Sequence, residues 1–253
     1  MEKILEIPNL PTGIVSRVII GENNNKTKSA LQKLGIIVIE TTCSTNVHPN
    51  VATHADLQFC HLKDDIAVVA SEQTILRNLL YDLDFSKVTF CEKSLGDEYP
   101  DDVLLNCAFV NDCVIYNPET VSEEILSFIK NSDLTEITVN QGYTKCSVAI
   151  VSDNAIITED VSIASKAAEA GLHVLLIRKG YVKLKGYDYG FIGGCCGKIS
   201  KDTLAFNGDI KLHPDYKEIN KFLKAHKVKP YSLFKGELED IGSIIPLMQI
   251  SRR

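Results

Sequence analysis

Residues 145–177 read KCSVAIVSDNAIITEDVSIASKAAEAGLHVLLI, and this stretch decides the fold. Short apolar runs bounded by turn residues predict β-strands, and an alanine-rich amphipathic run that stops at a glycine predicts a helix. The predicted segments are a strand Lys145–Val151, a turn Ser152–Asn154, a strand Asn154–Thr158, a helix Val161–Ala170 ended by Gly171, and a strand His173–Ile177. The unit is therefore strand, strand, helix, strand.

The same order of segments recurs along the chain with a period of about 45 residues. One copy precedes residue 95, with strands Asp56–His61, Ile66–Ala70 and Val88–Cys91 and a helix Glu72–Leu83. The next has strands Val103–Val110, Cys113–Tyr116 and Glu136–Asn140 and a helix Ser122–Lys130. The last has strands Gly193–Ile199, Thr203–Phe206 and Tyr231–Phe234 and a helix Asp215–His226. Four consecutive copies indicate a repeat architecture.

The N-terminal copy lacks one opening strand. It has a strand Ile14–Ile20, a helix Lys26–Leu34 and a strand Ile36–Glu40, while Ile241–Ile250 is a spare strand at the other end of the chain. Letting the terminal strand complete the first copy would close a ring and remove exposed sheet edges. The sequence thus predicts one α/β domain over residues 1–253, a five-bladed propeller of ββαβ repeats with pseudo-fivefold symmetry. Its units are 13–50 plus 241–250, 54–95, 102–141, 145–180 and 190–235.

Composition and charge narrow the class of partner. The chain is 45% hydrophobic and 24% charged, and its net charge of -6 comes without a basic stripe, which argues against nucleic acid. The sequence contains no run of about 18 apolar residues, so it predicts neither a membrane span nor an export signal. The eight cysteines lack paired zinc spacing and predict reduced thiols in the cytoplasm. A small molecule or another protein is the expected partner, and the oligomeric state stays open.

Five such units closed by a C-terminal strand resemble the pentein fold of the guanidino-group-modifying enzymes, and the resemblance covers almost the whole chain. Arginine deiminase, agmatine deiminase and dimethylarginine dimethylaminohydrolase have this fold, and so does the sixth translation initiation factor, which docks on a ribosomal surface without catalysis. In the enzymes a cysteine attacks the guanidinium carbon. A histidine in a His-x-Asp strand acts as acid and base, and carboxylates hold the cation.

Two motifs in this sequence resemble the catalytic signatures of those enzymes. His54-Ala55-Asp56-Leu57-Gln58-Phe59 looks like their His-Leu-Asp-x-x-Phe strand, and on a strand His54 and Asp56 would face one side. The usual nucleophile lies on the C-terminal strand, but residues 239–247 contain no cysteine. Gln141-Gly142-Tyr143-Thr144-Lys145-Cys146-Ser147 instead resembles the signature of a glycine, a basic residue and a cysteine. The resemblance implies Cys146 as nucleophile, in a constellation rotated around the ring.

The same rotation implies where the carboxylates for the substrate lie. It moves one of them to Asp209, in Phe206-Asn207-Gly208-Asp209, and another to Glu239 or Asp240. Asp160 is either a further substrate carboxylate or the N-cap of the helix that follows it.

The constellation implies hydrolysis of a C–N bond in a guanidine or amidine through a covalent thiouronium, with no metal or organic cofactor. Cys146 would react as a thiolate whose pKa is lowered by Lys145 or by protonated His54. His54 would move protons, with its orientation fixed by Asp56. The alternative is a binding protein that has the fold without the chemistry, and fold alone does not decide between them.

Overall fold

The predicted order of strand, strand, helix and strand recurs through the structure, a computed structural model that describes residues 1–250. The strands of this part of the chain are β1 Glu2–Ile4, β2 Ile14–Gly21, β3 Ile37–Thr41, β4 Phe59–Lys63, β5 Ile66–Val69, β6 Lys87–Phe90, β7 Ala108–Val110, β8 Cys113–Tyr116, β9 Thr135–Thr138, β10 Val148–Ser152, β11 Ala155–Thr158, β12 His173–Leu176, β13 Val182–Lys183, β14 Cys196–Ser200, β15 Thr203–Phe206, β16 Lys229–Ser232, β17 Leu238–Glu239 and β18 Ile245–Ile250. The helices are α1 Asn25–Lys33, α2 Ala55–Gln58, α3 Thr74–Asp82, α4 Glu123–Lys130, α5 Thr144–Ser147, α6 Val161–Glu169 and α7 Tyr216–Ala225, with a 3-10 helix at Ile210–Leu212.

Four stretches of the chain each form three strands that pair in the same pattern. In each, two strands joined by a tight turn pair antiparallel, and a helix then returns the chain so that a third strand pairs parallel with the second. This follows from geometry, because a two-residue turn suffices for an antiparallel neighbour whereas a parallel neighbour needs a crossover. Three of them are separate sheets, β4-β5-β6, β7-β8-β9 and β10-β11-β12, and the fourth, β14-β15-β16, is part of a seven-stranded sheet. The molecule is therefore a mixed α/β protein built from small sheets.

The C-terminal strand supplies what the first stretch lacks. β18 pairs antiparallel with β2, and β2 pairs parallel with β3, so these three strands repeat the pattern of the other sheets. β1 pairs with the outer side of β18, and Ser200 of β14 pairs with Ile14 of β2. The pairing of β18 with β2 is the one that the sequence predicts for the terminal strand. It joins the two ends of the chain in one sheet.

Each crossover helix packs on its sheet through a pair of buried side chains four residues apart. This spacing places both on the same face of the helix. Burying one leucine or isoleucine fully contributes about 1.5 to 3 kcal/mol. The pairs are Thr27 and Leu31, Leu76 and Leu80, Ile125 and Ile129, Ile163 and Ala167, and Ile219 and Leu223. Within residues 1–250, no helix has the length and apolar character needed to cross a bilayer.

The starts of the predicted opening strands are wrong. The strands predicted from Asp56 and from Lys145 instead begin with the helical turns α2 and α5, and the strands follow at Phe59 and Val148. In the third and fifth units the strands begin only at Ala108 and Cys196, after turns. The helical turn α5 forms because its free amides have a partner from the neighbouring unit, the side chain of Asn106.

Candidate active site

A cavity of about 270 Å³ lies against the turns α2 and α5. Four parts of the chain bound it, residues 51–57, 143–146, 184–191 and Asp240. Its polar lining groups are His54, Cys146, Asp188 and Asp240, and the rest of the wall is aliphatic or aromatic. We call it the Cys146 cavity. Three of the predicted catalytic or substrate residues thus reach one cavity from three different units.

The Cys146 thiol is buried and held by two side chains. Its Sγ donates a hydrogen bond to Asp56 Oδ2 at 3.2 Å and accepts one from Asn106 Nδ2 at 3.1 Å. The same Asn106 amide donates to the backbone oxygen of Asp56 at 3.0 Å. Its Oδ1 accepts from the amides of Lys145 and Cys146, at 2.7 and 3.2 Å. Asn106 therefore fixes both the thiol and its carboxylate partner.

Lys145 and Asp56 are linked through Ser243. The ammonium of Lys145 donates to Ser243 Oγ at 2.9 Å, and that hydroxyl lies 2.6 Å from Asp56 Oδ2, to which it donates. Ser243 has a φ of 72°, and the left-handed conformation costs a non-glycine residue about 1 kcal/mol or more. The left-handed conformation of Ser243 thus places this hydroxyl at some cost in backbone strain. Lys145 was expected to lower the pKa of the thiol, but its ammonium is bonded to Ser243 instead.

Asp240 is the carboxylate that lies beside His54. Its Oδ1 is 3.8 Å from His54 Nδ1, a distance that suits an ion pair with protonated His54 but is too long for a hydrogen bond. The amides of Gly242 and Phe191 fix the carboxylate at 3.0 and 2.9 Å. A Cβ atom at Gly194 would come to 2.0 Å from Asp240 Oδ1, so this close approach requires a glycine at position 194. Asp56 was expected to orient His54, and this was wrong because Asp56 bonds the thiol and Ser243.

Burial and neighbouring negative charge oppose the ionisation of two groups in the free site, Cys146 and Asp240. Burial raises the pKa of the Cys146 thiol well above its ordinary value, and the carboxylates of Asp56 and Asp240 raise it further. Burial also raises the pKa of Asp240, with Asp56 adding to the effect and His54 opposing it. The expectation of a thiolate with a lowered pKa is therefore wrong for the free protein. No lysine or arginine lines the cavity itself, since the Lys145 ammonium is bonded to Ser243 behind it.

Aromatic rings form one wall of the cavity. Tyr143 and Phe191 stack with ring centres 5.8 Å apart, and Tyr189 meets Phe191 edge-on at 6.2 Å. The Tyr143 hydroxyl donates to Asp102 Oδ2, which orients the ring. Tyr187 completes the wall and contacts His48 edge-on at 6.0 Å. Aromatic faces attract cations and planar groups, so this wall favours the same ligands as the carboxylates.

The other predicted carboxylates do not line the cavity. Asp209 caps the 3-10 helix by accepting from the Lys211 amide at 3.1 Å, and it also accepts from the Ser232 hydroxyl at 2.9 Å. The side chain of Glu239 is exposed, since it lies on the opposite side of β17 from buried Leu238. Of the two alternatives for Asp160, the structure shows the cap.

Asp160 accepts from the Ile163 amide at the start of α6 at 2.9 Å, and its second oxygen accepts from Gln141 Nε2 at 3.2 Å. It lies on the wall of a smaller neighbouring cavity instead.

The sequence did not single out two residues that bond to Cys146 or to its partner Asp56. Asn106 bonds to the Cys146 thiol, and Ser243 bonds to Asp56. Asn106 precedes a predicted apolar strand and carries no motif, so no signal pointed to it. Ser243 lies in the C-terminal stretch where the resemblance places the nucleophile, and the resemblance assigns roles there only to a cysteine and to carboxylates. Within the part of the chain that the structure describes, no three His, Cys, Asp or Glu side chains are grouped to hold a metal ion.

Comparison with solved structures places the fold. A Cys-to-Ser variant of DDAH from Pseudomonas aeruginosa, in complex with citrulline, superposes with a TM-score of 0.56 at 10% identity, over 91% of this chain and 96% of that chain. An adduct of a His-to-Gly variant of dimethylarginine dimethylaminohydrolase with S-methyl-L-thiocitrulline gives 0.56 at 11%, over 87% and 92%. Inosamine-phosphate amidinotransferase from Streptomyces griseus gives 0.51 at 10%, over 99% and 97%.

These matches show that the chain has the fold of the pentein, or guanidino-group-modifying, superfamily. At such low identity they show the fold and not the activity. Residues 18–245 match a sequence family described as "Family of unknown function (DUF6873)", and the chain belongs to that family. No curated protein matches it.

Proposed function

We propose that this protein is a cysteine-dependent enzyme that cleaves a C–N bond in a guanidine or amidine small molecule. One observation carries the proposal. The Cys146 thiol bonds to a buried carboxylate, Asp56, and lines a cavity together with a second buried carboxylate, Asp240, and the imidazole of His54. A planar cation suits two carboxylates and an aromatic wall, and the thiol is the only strong nucleophile among the residues that line this cavity.

A bound cation would reverse the electrostatics of the free site. An opposite charge within hydrogen-bonding distance favours the ionised form of a carboxyl or a thiol. A guanidinium in the cavity, beside Asp240 and Cys146, would therefore lower the pKa of Cys146 from its raised value. The nucleophile would form only when substrate is present, which explains why a raised pKa in the free protein is compatible with catalysis.

The reaction balances with the groups at hand. The thiol sulfur forms a C–S bond to the amidine carbon while the C–N bond to the leaving amine breaks. The thiol proton leaves along its hydrogen bond to Asp56, and His54 gives a proton to the departing amine. Water then attacks the same carbon and the C–S bond breaks. One proton from water goes to His54, and Cys146 regains its proton from Asp56.

The arrangement of units supports the same proposal. We propose that the chain is a single domain whose five units close into a pseudo-fivefold ring, with His54, Cys146 and Asp240 facing its centre. Enzymes of that fold named above act on or bind guanidino compounds. An amidinotransferase is among them, so the second step could pass the carbon to an amine instead of water. All eight cysteines are free thiols, which favours a reducing compartment such as the cytoplasm.

One observation favours the alternative of a binding protein without catalysis. Cys146 is only 2% exposed and its thiol makes two hydrogen bonds, as a structural thiol would. In that case the same cavity would hold a cationic ligand without reacting. A reagent that carries its own cation distinguishes the two.

The test compares chloroacetamidine, a cationic alkylating agent, with chloroacetamide, its neutral counterpart of nearly the same size. The exposed Cys43 serves as the reference for their intrinsic reactivity. If Cys146 reacts with a cation held by carboxylates, chloroacetamidine should label it at least about tenfold faster, relative to Cys43, than chloroacetamide does. Peptide mapping measures both sites in one sample. Equal ratios at Cys146 and Cys43 would support the binding protein.

Turnover is tested with a panel of agmatine, arginine and methylated arginines, scored for released amine. Cys146→Ser should lower the rate of amine release by roughly 10³-fold or more, because the hydroxyl is a far weaker nucleophile in the same place. Thermal melting should show an unchanged fold. Cys43→Ser is the matched control and should leave release unaltered.

A further inference from the structure

A second buried carboxyl lies outside the Cys146 cavity and has no partner. Glu159 follows β11 and is 8% exposed, yet neither of its carboxylate oxygens accepts a hydrogen bond of ordinary geometry within residues 1–250, and the nearby Ile192 amide only partly opposes the raised pKa of the carboxyl. Burying an unpaired carboxyl is costly, so such groups are normally hydrogen-bonded or paired with a cation. Burial raises the pKa of Glu159 to about 8, and the Asp240 carboxylate adds to the effect. The side chain lacks a positive partner.

Glu159 lies on the wall of a cavity of about 180 Å³. Its polar neighbours on that wall are Gln141, Asp160 and Lys179, and the aromatic side is formed by Tyr189 and Phe191. We call it the Glu159 pocket. Gln141 and Asp160 bond to each other, and Asp160 caps α6, so neither is available to Glu159. The Lys179 ammonium lies at the surface, 5.9 Å above the Tyr189 ring.

We propose that the Glu159 pocket binds an ammonium group of a ligand. The wall carries two carboxyls against one exposed ammonium, and an alkylammonium has three N–H donors for the two unpartnered oxygens. The aromatic faces of Tyr189 and Phe191 add to the attraction for a cation. A carboxylate ligand would meet two carboxyls of like charge, and a neutral apolar ligand would leave Glu159 unpaired.

The pocket adjoins the Cys146 cavity, since Tyr189 and Phe191 line both. A single ligand would therefore place its reacting amidine carbon at Cys146 and a second cation at Glu159, with an alkyl linker against the shared aromatic wall. This part of the inference rests on the proposed function. It narrows the substrate class to guanidines or amidines with an amine at the far end.

The first measurement tests whether the protein prefers a guanidine whose far end carries an ammonium. Agmatine and n-pentylguanidine have chains of the same length, but one ends in an ammonium and the other in a methyl group. Calorimetric titration at pH 8.5, above the pKa of Glu159, should show wild-type protein binding agmatine at least about tenfold more tightly, as expected for one buried charge-assisted contact. Glu159→Gln should remove the preference while leaving n-pentylguanidine affinity unchanged. Glu169→Gln, an exposed acid on the neighbouring helix, is the matched control.

The second measurement does not depend on chemistry at Cys146. n-Butylammonium should shift amide resonances of residues 159–163 and 189–192 in wild-type protein and not in Glu159→Gln, and n-butanol should shift neither. Should Glu159→Gln fold poorly, Glu159→Met removes the charge with an apolar side chain of similar volume. Equal affinities for the two guanidines together with no n-butylammonium shift would overturn the inference and leave the proposed function intact. A Glu159-dependent n-butylammonium shift in a protein that binds neither guanidine would uphold the ammonium site and overturn the proposed function.

Discussion

Two pairs of aspartates, all proposed from sequence as site residues, occupy opposite kinds of position in the structure. Asp56 and Asp240 are 1% and 4% exposed; Asp56 accepts a hydrogen bond from the Cys146 thiol, and Asp240 lines the Cys146 cavity beside His54. Asp160 and Asp209 lie at the starts of α6 and the 3-10 helix, where each accepts a hydrogen bond from a backbone amide of its helix. The first pair serves a cavity and the second pair serves a helix.

For Asp160, Asp209 and Asp240, the difference depends on what the chain does immediately after the aspartate. Asp160 and Asp209 precede helices whose free amides need an acceptor, so a local partner satisfies the carboxylate. Asp240 is followed by Gly242 and Ser243, both left-handed, with φ of 74° and 72°, and this turn returns the chain against His54. No helix start competes for that carboxylate. A carboxylate near a predicted helix start should therefore be assigned to the helix first.

The largest effect that separates the two pairs is expected from Asp240→Asn. Losing this charge should lower the preference of Cys146 for chloroacetamidine over chloroacetamide about 10- to 100-fold, because one of the two carboxylates that attract the cation is gone. Glu239→Gln is the matched control. It removes the same charge one residue away, on an exposed side chain. The preference should then stay at the wild-type value.

The variant must be checked for folding. An asparagine keeps the size of Asp240, but its amide group cannot accept both hydrogen bonds now made by Gly242 and Phe191, and one unsatisfied amide costs about 1 to 3 kcal/mol. Melting curves measured beside the labelling rates separate this loss from the electrostatic one. An unchanged reagent preference in folded Asp240→Asn would remove Asp240 from the site.

A smaller effect concerns the thiol of the free protein. Because the pKa of Cys146 is raised, its thiolate fraction at pH 7.5 is below that of an ordinary cysteine. Neutral iodoacetamide should therefore label exposed Cys43 before Cys146. Between pH 7 and 9 the rate at Cys146 should keep rising about tenfold per pH unit, since the thiolate fraction rises in that proportion below the pKa. Faster labelling of Cys146 than of Cys43 at pH 7.5 would mean that a cation, such as Lys145, reaches the thiol.

The order of elements could be predicted from sequence because each unit repeats the same local signals. Apolar runs, turn residues and amphipathic spacing placed the helices α3, α4, α6 and α7 within two residues of their observed ends. The helical turns α2 and α5 could not be predicted. Each is four residues long, and α5 depends on Asn106, a residue distant in sequence that accepts from its amides.

Motifs in the sequence pointed to residues that line the cavity, whereas the bonding partners of those residues depend on geometry that no motif contains. Cys146, His54 and Asp240 were singled out by motif and line one cavity, and their joint role as a site stays a prediction. The roles of Asp56 and Asp240 relative to His54 were exchanged, since they depend on which carboxylate the left-handed turn at Gly242 brings to the ring. Glu159 carries no motif, and only its burial without a partner reveals it.

The smallest expected effect concerns Asp209, one of the two aspartates that cap a helix. Asp209→Ala removes the acceptor for the Lys211 amide and the Ser232 hydroxyl, and losing such a cap should reduce the free energy of unfolding by about 1 kcal/mol. For a chain of this size that lowers the melting temperature by about 2 to 4 °C. Asp209→Asn keeps a good capping side chain and removes only the charge, so it should restore most of the stability. Both variants should keep the wild-type preference of Cys146 for chloroacetamidine, because the carboxylate lies outside the Cys146 cavity. If Asp209→Asn were as stable as wild type but lost that preference, the charge of Asp209 would act on the ligand, and the division between cavity carboxylates and helix caps would fail at this residue.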